Sequence, residues 1–350
     1  MLTSVQKAWK HIMYSFLLAA VLSGCSLVDE NLSDCETDYH IDYQLRLVTN
    51  MTTELQTQLG LQTDIAVATA LKAHLSDIFT DYAHDIDLSF YDVGENSVRL
   101  HHEQHIMDDN SSSYTLYIPI RRYMHLGVAN LEGSGNVSLE DDNLCFKSRL
   151  HQQVADTLSS HQKGFFTSRL PMDVKEGADQ HFDVHMYMAN CASALVLDTL
   201  GSHIKDIKVY TSGFATDFDI ADSTYIFQYT PIIRTDKLEL LDVSSSKLCF
   251  VSVTFPSRTE TDTKVIIDTD DPFVTDDADH TLWQFRIYTT LRDNSVTETL
   301  LSLRNPLLPG QFRCLTANVY ENGTVSPSDP SVGVSVTLDW DPGLEVVVEI

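Results

Sequence analysis

Apolar residues recur at every second position over much of this chain, the spacing at which one face of a strand is buried and the other is wet. Trp283, Phe285 and Ile287 alternate with Gln284 and Arg286, and Cys249, Val251, Val253 and Phe255 fall on one side of another run. Val332, Val334, Val336, Leu338 and Trp340 are interleaved with Gly333, Ser335, Thr337 and Asp339, the longest case. Many short strands with turn residues between them imply a sandwich or barrel. One segment breaks the rule: Ile65, Ala68, Leu71, Leu75, Ile78, Phe79 and Tyr82 recur at steps of three and four, predicting an amphipathic helix that Thr63 or Asp64 would cap. The pattern Ile86-Asp87-Leu88-Ser89-Phe90 then predicts a strand, Gly94-Glu95-Asn96 a turn, and Tyr114, Leu116, Ile118 and Ile120 a further apolar face. Between about 159 and 180 the chain turns polar and broken before alternation resumes at Phe182, Val184 and Met186. The expectation is an all-β chain of two β-sandwich domains, residues 39–165 and 166–350, with one amphipathic helix in the first, as its length suggests.

The N-terminus reads differently. Lys7 and Lys10 precede an apolar run from Phe16 to Leu22, matching a secretory signal peptide over residues 1–24 and too short to span a bilayer. Leu22-Ser23-Gly24-Cys25 resembles the bacterial lipobox, in which Cys25 becomes the acylated N-terminus. A single acyl chain holds only marginally, so several are needed for stable anchoring on a membrane. Beyond the diacylglycerol and acyl chain on Cys25 no cofactor is expected. Residues 25–38 form an acidic tether with Asp29, Glu30, Asp34, Glu36 and Asp38; it resembles a surface-export signal and reads equally as a solvated spacer. Without residues 1–24 the chain carries 21 basic against 50 acidic side chains, a formal charge of −29. Nucleic acid is therefore excluded as a partner, since neutralising phosphates requires a basic face.

Catalytic signatures are missing: no Gly-x-Ser-x-Gly, no P-loop and no dinucleotide glycine pattern occurs. No enzyme is expected. His102-Glu103-Gln104-His105 is one residue short of a zinc-protease helix, whereas on a strand His101, Glu103 and His105 would share a face. An exposed strand face is the preferred reading there, and for His181, Asp183 and His185. The run Asp268, Asp270, Asp271, Asp276, Asp277 and Asp279 lacks the order and closing glutamate of a calcium loop, and reads as solvated. No metal is expected. Apart from Cys25, the five cysteines Cys35, Cys145, Cys191, Cys249 and Cys314 contain no Cys-x-x-Cys pair, so neither a disulfide framework nor a zinc knuckle is indicated.

The order of these features resembles the FimB-type fimbrial anchor and fimbrillin family of Bacteroidales surface lipoproteins. A lipobox cysteine is followed by Val28-Asp29-Glu30-Asn31-Leu32-Ser33-Asp34-Cys35, then by strand residues Tyr39 to Val48 running into Asn50-Met51. The helix at 64–83, Tyr91-Asp92-Val93-Gly94, and Tyr123-Met124-His125-Leu126-Gly127-Val128-Ala129-Asn130 agree with it. So do Pro309-Gly310-Gln311 and Val334-Ser335-Val336-Thr337-Leu338-Asp339-Trp340. The resemblance implies two tandem transthyretin-like β-sandwich domains, an outer-membrane lipoprotein at the base of a fimbria, shaft subunits as partners, and no catalysis. Shaft pilins of the same superfamily are processed after a basic residue near an early strand, and Arg46 lies near that place. An outward-facing strand arginine is the plain alternative. The acidic segment ending in Cys35 is more similar to anchors.

Two readings concern binding. Asp341-Pro342-Gly343 suits a turn, after which Leu344, Val346, Val348 and Ile350 point one way, a design that serves either strand donation to a partner's sheet or an ordinary edge strand. The competing function is glycan binding by a polysaccharide-uptake lipoprotein, against which stands the placing of Trp283 and Trp340 on apolar strand faces.

Overall fold

The computed structural model describes residues 38–48, 51–60, 64–79, 83–94, 97–106, 113–176, 180–199, 203–228, 231–240, 246–259 and 281–339. The described residues open with β1 (Asp38–Val48), α1 (Met51–Gly60) and α2 (Ile65–Ile78), then β2 (Asp85–Asp92), β3 (Arg99–Ile106), β4 (Ser113–Pro119) and β5 (Arg122–Ala129). There follow β6 (Val137–Glu140), β7 (Arg149–Gln152), β8 (Thr157–Ser159), β9 (Phe166–Asp173) and β10 (Gln180–Met188). Next come β11 (Cys191–Thr199), β12 (Ile204–Ser212), β13 (Asp217–Asp219), β14 (Thr224–Ile226), β15 (Ile232–Arg234) and β16 (Asp236–Leu238). The last are β17 (Lys247–Thr254), β18 (Trp283–Leu291), β19 (Val296–Leu303), β20 (Phe312–Val319), β21 (Val325–Pro327) and β22 (Gly333–Asp339). The protein is all-β.

The first sheet has seven strands in the order β3-β2-β5-β9-β10-β1-β4. It curls until its edges meet: His105 of β3 stacks on Tyr114 of β4, with ring centroids 5.0 Å apart. Inside the curl lie Ile41, Tyr43, Leu88, Phe90, Leu116, Ile118, Tyr123 and Val184, all but sealed from solvent. Its outer face is covered near β2 and β5 by a four-stranded sheet, order β14-β13-β7-β6. Tyr91, Leu126 and Val128 meet Leu150 and Phe218 in that layer.

The second part is a sandwich of a five-stranded sheet, order β16-β17-β11-β20-β21, and a six-stranded sheet, order β22-β19-β18-β12-β15-β8. Leu195, Leu197, Leu315 and Val319 of the first meet Phe285, Ile287 and Leu301 of the second. Strand β11 is buried on both faces, which explains its nearly unbroken apolar sequence. Its other face, Ala192, Ala194 and Val196, joins Val67, Leu71 and Leu75 of α2 in the cluster that also holds Tyr43 and Phe90. The core of the curled sheet therefore runs on through the helices into the sandwich. Asp64 starts α2, its carboxylate accepting from the amides of Ala66 (3.0 Å) and Val67 (3.1 Å). Lys247 of β17 lies 3.1 Å from the same carboxylate, fastening the helix start to the sheet beneath.

The structure departs from expectation at four points. Among the described residues there are two helices, not one. The first, α1, packs on β20 through the buried Leu55, and its Thr- and Gln-rich sequence carries too narrow an apolar stripe to announce a helix. Within α2, Ile65 is 82% exposed, because it sits in the first turn on the far side from Val67, Leu71 and Leu75. Sheet membership does not change at 165/166 either. Strands β9 and β10 pair with β5 and β1 of the curled sheet, and the chain crosses to the sandwich only at Ala189–Asn190. The halves also interlock, β7 pairing with β13 and β8 with β15. In β22, Val334 and Val336 lie opposite Leu301 and Thr299, which are buried, yet are themselves 47% and 40% exposed. They point to the core side but stand at the sheet's outer edge, beyond the cover of the shorter facing sheet.

Candidate strand-exchange site

Strand β1 is the element on which a strand-based function would rest. It is inserted between β10, to which it runs parallel from Ile41↔Gln180 to Val48↔Tyr187, and β4, to which it runs antiparallel from Asp38↔Pro119 to Gln44↔Ser113. Its alternation is complete over the described side chains: Ile41, Tyr43 and Leu45 are buried, Asp42, Gln44 and Arg46 exposed. Each fully buried aliphatic side chain contributes about 1.5–3 kcal/mol.

Tyr43 is the specific member of the row. Its hydroxyl lies 2.7 Å from His125 Nε2, while His125 Nδ1 lies 3.1 Å from the Ser89 carbonyl. A carbonyl only accepts, so Nδ1 carries the proton and Nε2 accepts from the tyrosine. His125 stacks on Phe90 at 4.4 Å and meets the Tyr43 ring edge-on at 5.2 Å. Burial pushes His125 down to about 4, the hydrogen bond to Ser89 opposing it. Burial, then the nearby Tyr114, pushes the Tyr43 hydroxyl well up. Both are neutral near pH 7, so the slot holds a polar pair without a buried charge. Gly127 completes the site, since a Cβ there would stand 2.6 Å from Ser168 Oγ.

Without β1, the flanking edges of β10 and β4 would present unpaired backbone groups above pockets for three alternate side chains, which is the chemistry of strand addition. Arg46 sits on the exposed face opposite His185 of β10, after the last β4 pairing at Gln44. All three buried anchors, Ile41, Tyr43 and Leu45, precede it. Cys25 and the C-terminal residues Leu344, Val346, Val348 and Ile350 lie outside the described residues, as do Cys35 and the aspartates from Asp268 to Asp279.

His101, Glu103 and His105 do share a face of β3. The Glu103 oxygens lie 2.6 Å from His101 Nε2 and 2.7 Å from His105 Nε2, one imidazole on each oxygen. His181 lies 3.2 Å from Asp183 on the exposed face of β10. Among the described residues no group of three or more such side chains is placed to hold a metal. Among the described residues Cys145, Cys191, Cys249 and Cys314 form no disulfide. Sequence reasoning missed the Tyr43–His125 pair; the available signal was a histidine in register with Tyr123 and Gly127 in an otherwise apolar strand.

No protein-family profile matches the chain, and no curated protein matches its sequence. Solved structures do resemble it. A candidate adhesin from Bacteroides ovatus superposes with a TM-score of 0.50 at 9% identity, covering 88% of this chain and 97% of that one. The tip fimbrial protein Mfa3 from Porphyromonas gingivalis, with a C-terminal truncation, gives a TM-score of 0.38 at 8% identity over 87% of this chain and 100% of its own. A fimbrial assembly protein from Parabacteroides distasonis gives 0.38 at 8% identity over 86% of this chain and 99% of its own. The likeness to the Bacteroides ovatus protein shows a shared fold.

Proposed function

We propose that this chain is a non-catalytic outer-membrane surface lipoprotein, held through acyl chains on Cys25, that joins the cell to a fimbria by strand addition, with the anchor role preferred over that of a shaft or tip subunit. The supporting observation is the β1 slot, in which one strand with three buried anchors separates β10 from β4. A chain that keeps β1 has this slot filled and cannot accept a neighbour's strand there. Such a chain suits the base of a polymer, donating its own C-terminal row Leu344, Val346, Val348 and Ile350 to the first shaft subunit. Cleavage after Arg46 would instead sever Ile41, Tyr43 and Leu45 from the domain and turn the same slot into an acceptor. Glycan stacking on tryptophan finds no support at Trp283, whose indole is buried and donates to the Asn305 carbonyl at 2.9 Å.

The test is to recover the protein from purified fimbriae and sequence its N-terminus. A chain beginning at acylated Cys25 supports the anchor; one beginning at Leu47 overturns it in favour of a processed subunit. Deleting residues 344–350 should leave a folded, surface-exposed protein and detach the fimbria. Loss of folding in that variant would assign the segment to the protein's own sandwich.

A further inference from the structure

The second sandwich has an open corner. After β15 the chain leaves the six-stranded sheet at Thr235, whose amide and hydroxyl both donate to the Val209 carbonyl, at 3.2 and 2.8 Å, and enters the five-stranded sheet as β16. Beside this crossing is a cavity of about 200 Å³ whose lining includes Val209, Tyr210, Phe250, Lys208, Arg234 and Lys237. Val209 and Phe250 are buried, Tyr210 is half-buried, and the three basic residues are exposed. The Lys237 ammonium stands over the Phe250 ring, 6.0 Å from its centroid.

The charge at this corner runs against the rest of the molecule. Acids outnumber Lys and Arg by 50 to 23 along the chain, yet among the described residues no carboxylate pairs with Lys208, Arg234 or Lys237. The contrast with near neighbours is direct. Arg286, opposite Tyr210 on β18, is paired with Glu298 at 3.3 Å. Asp236, between Arg234 and Lys237 in sequence, turns to the opposite side of its strand, toward His74 at 4.0 Å and Gln162 at 3.3 Å. Three like charges around an apolar hollow repel one another, and a bound anion relieves that repulsion while making charge-assisted hydrogen bonds. Tyr210 adds an aromatic surface for an apolar ring face. Sites for drug-sized ligands run to about 300–1,000 Å³, so a cavity of 200 Å³ takes one ring and not a chain of them.

We propose that this corner binds a single acidic sugar residue, its carboxylate held by Lys208, Arg234 and Lys237 and its ring lying against Tyr210. The proposal does not depend on strand addition, and either can fail alone. The probes are methyl β-glucuronide, the uncharged methyl β-glucoside, and inorganic sulfate, each titrated at constant ionic strength into the mature chain and followed by amide NMR. The glucuronide should saturate in the millimolar range and shift the amides of Val209 and Thr235, with the other two at least tenfold weaker. Arg234→Gln and Lys237→Gln should each weaken the glucuronide by about tenfold, the loss of one charge-assisted contact, with unchanged urea midpoints because both side chains are exposed. Lys208→Gln serves if either variant fails to fold. Equal binding of the glucoside, equal binding of sulfate, no saturation by glucuronide, or undiminished binding in the folded variants would each overturn the assignment.

Discussion

His125 and His161 are both sealed from water and both neutral, one inside the curled sheet and one at the junction of the two halves. His161 Nδ1 lies 2.8 Å from the Asn190 amide nitrogen, and Phe165 and Phe255 meet its ring edge-on. Burial pushes its imidazole down to about 3, as it pushes His125 to about 4. In the unfolded chain both return to an ordinary value near 6.5. Above that pH neither state binds the protons and their full contribution to stability is present. Below it the unfolded chain takes up two protons that the fold refuses, and stability falls by about 1.4 kcal/mol per pH unit for each histidine until the folded groups titrate. Urea midpoints should therefore drop between pH 6.5 and 5, above the range where most carboxylates titrate. His125→Gln should remove about half of that slope; an unchanged slope in the variant would refute the assignment. Tyr43→Phe leaves His125 Nε2 buried without its donor and should cost about 1–3 kcal/mol, read from the same unfolding curves.

At the scale of single elements, α2 and β1 illustrate two kinds of control. The start of α2 is set by Asp64, whose carboxyl is held low first by the hydrogen bond from the Val67 amide and then, against some desolvation, by Lys247. Asp64→Ala should cost about 1 kcal/mol, whereas Asp64→Asn, which still caps, should lose much less. Comparable losses in both would place the effect in the ion pair with Lys247 and not in the cap. Strand β1 answers to its alternation. Ile41→Ala should destabilise by about 2–5 kcal/mol, since the slot around it cannot collapse. Gln44→Ala, on the exposed face, should stay within about 0.5 kcal/mol. Similar values for the two would mean that β1 does not fill the slot as described.

At the scale of the molecule, the halves are joined by more than a linker. Strands β7 and β8 pair with strands of the second half, α2 lies on the second sandwich, and one apolar cluster runs through both. Calorimetry should therefore show one unfolding transition, and two well-separated transitions would contradict the shared core. A chain ending at residue 165 lacks β9 and β10, the partners of β5 and β1, and should show neither native near-ultraviolet dichroism nor cooperative unfolding. The local character of most segments, α1 excepted, was determined by the sequence alone. The alternation of Trp283, Phe285 and Ile287, a cap at Thr63 or Asp64 before α2 and the strand at Ile86–Phe90 all depend on neighbours a few residues away, so they are legible without the fold. Partnership was decided only by the tertiary structure. That β1 lies parallel to β10, some 140 positions onward, that β9 and β10 belong to the first sheet, and that Val334 and Val336 face the core side without being covered depend on which surfaces meet. Period two states which residues share a face and carries no term for the strand that will lie beside it or the layer that will cover it. Tyr43 and His125 are 82 residues apart, and only the curl of the sheet places one hydroxyl against one imidazole.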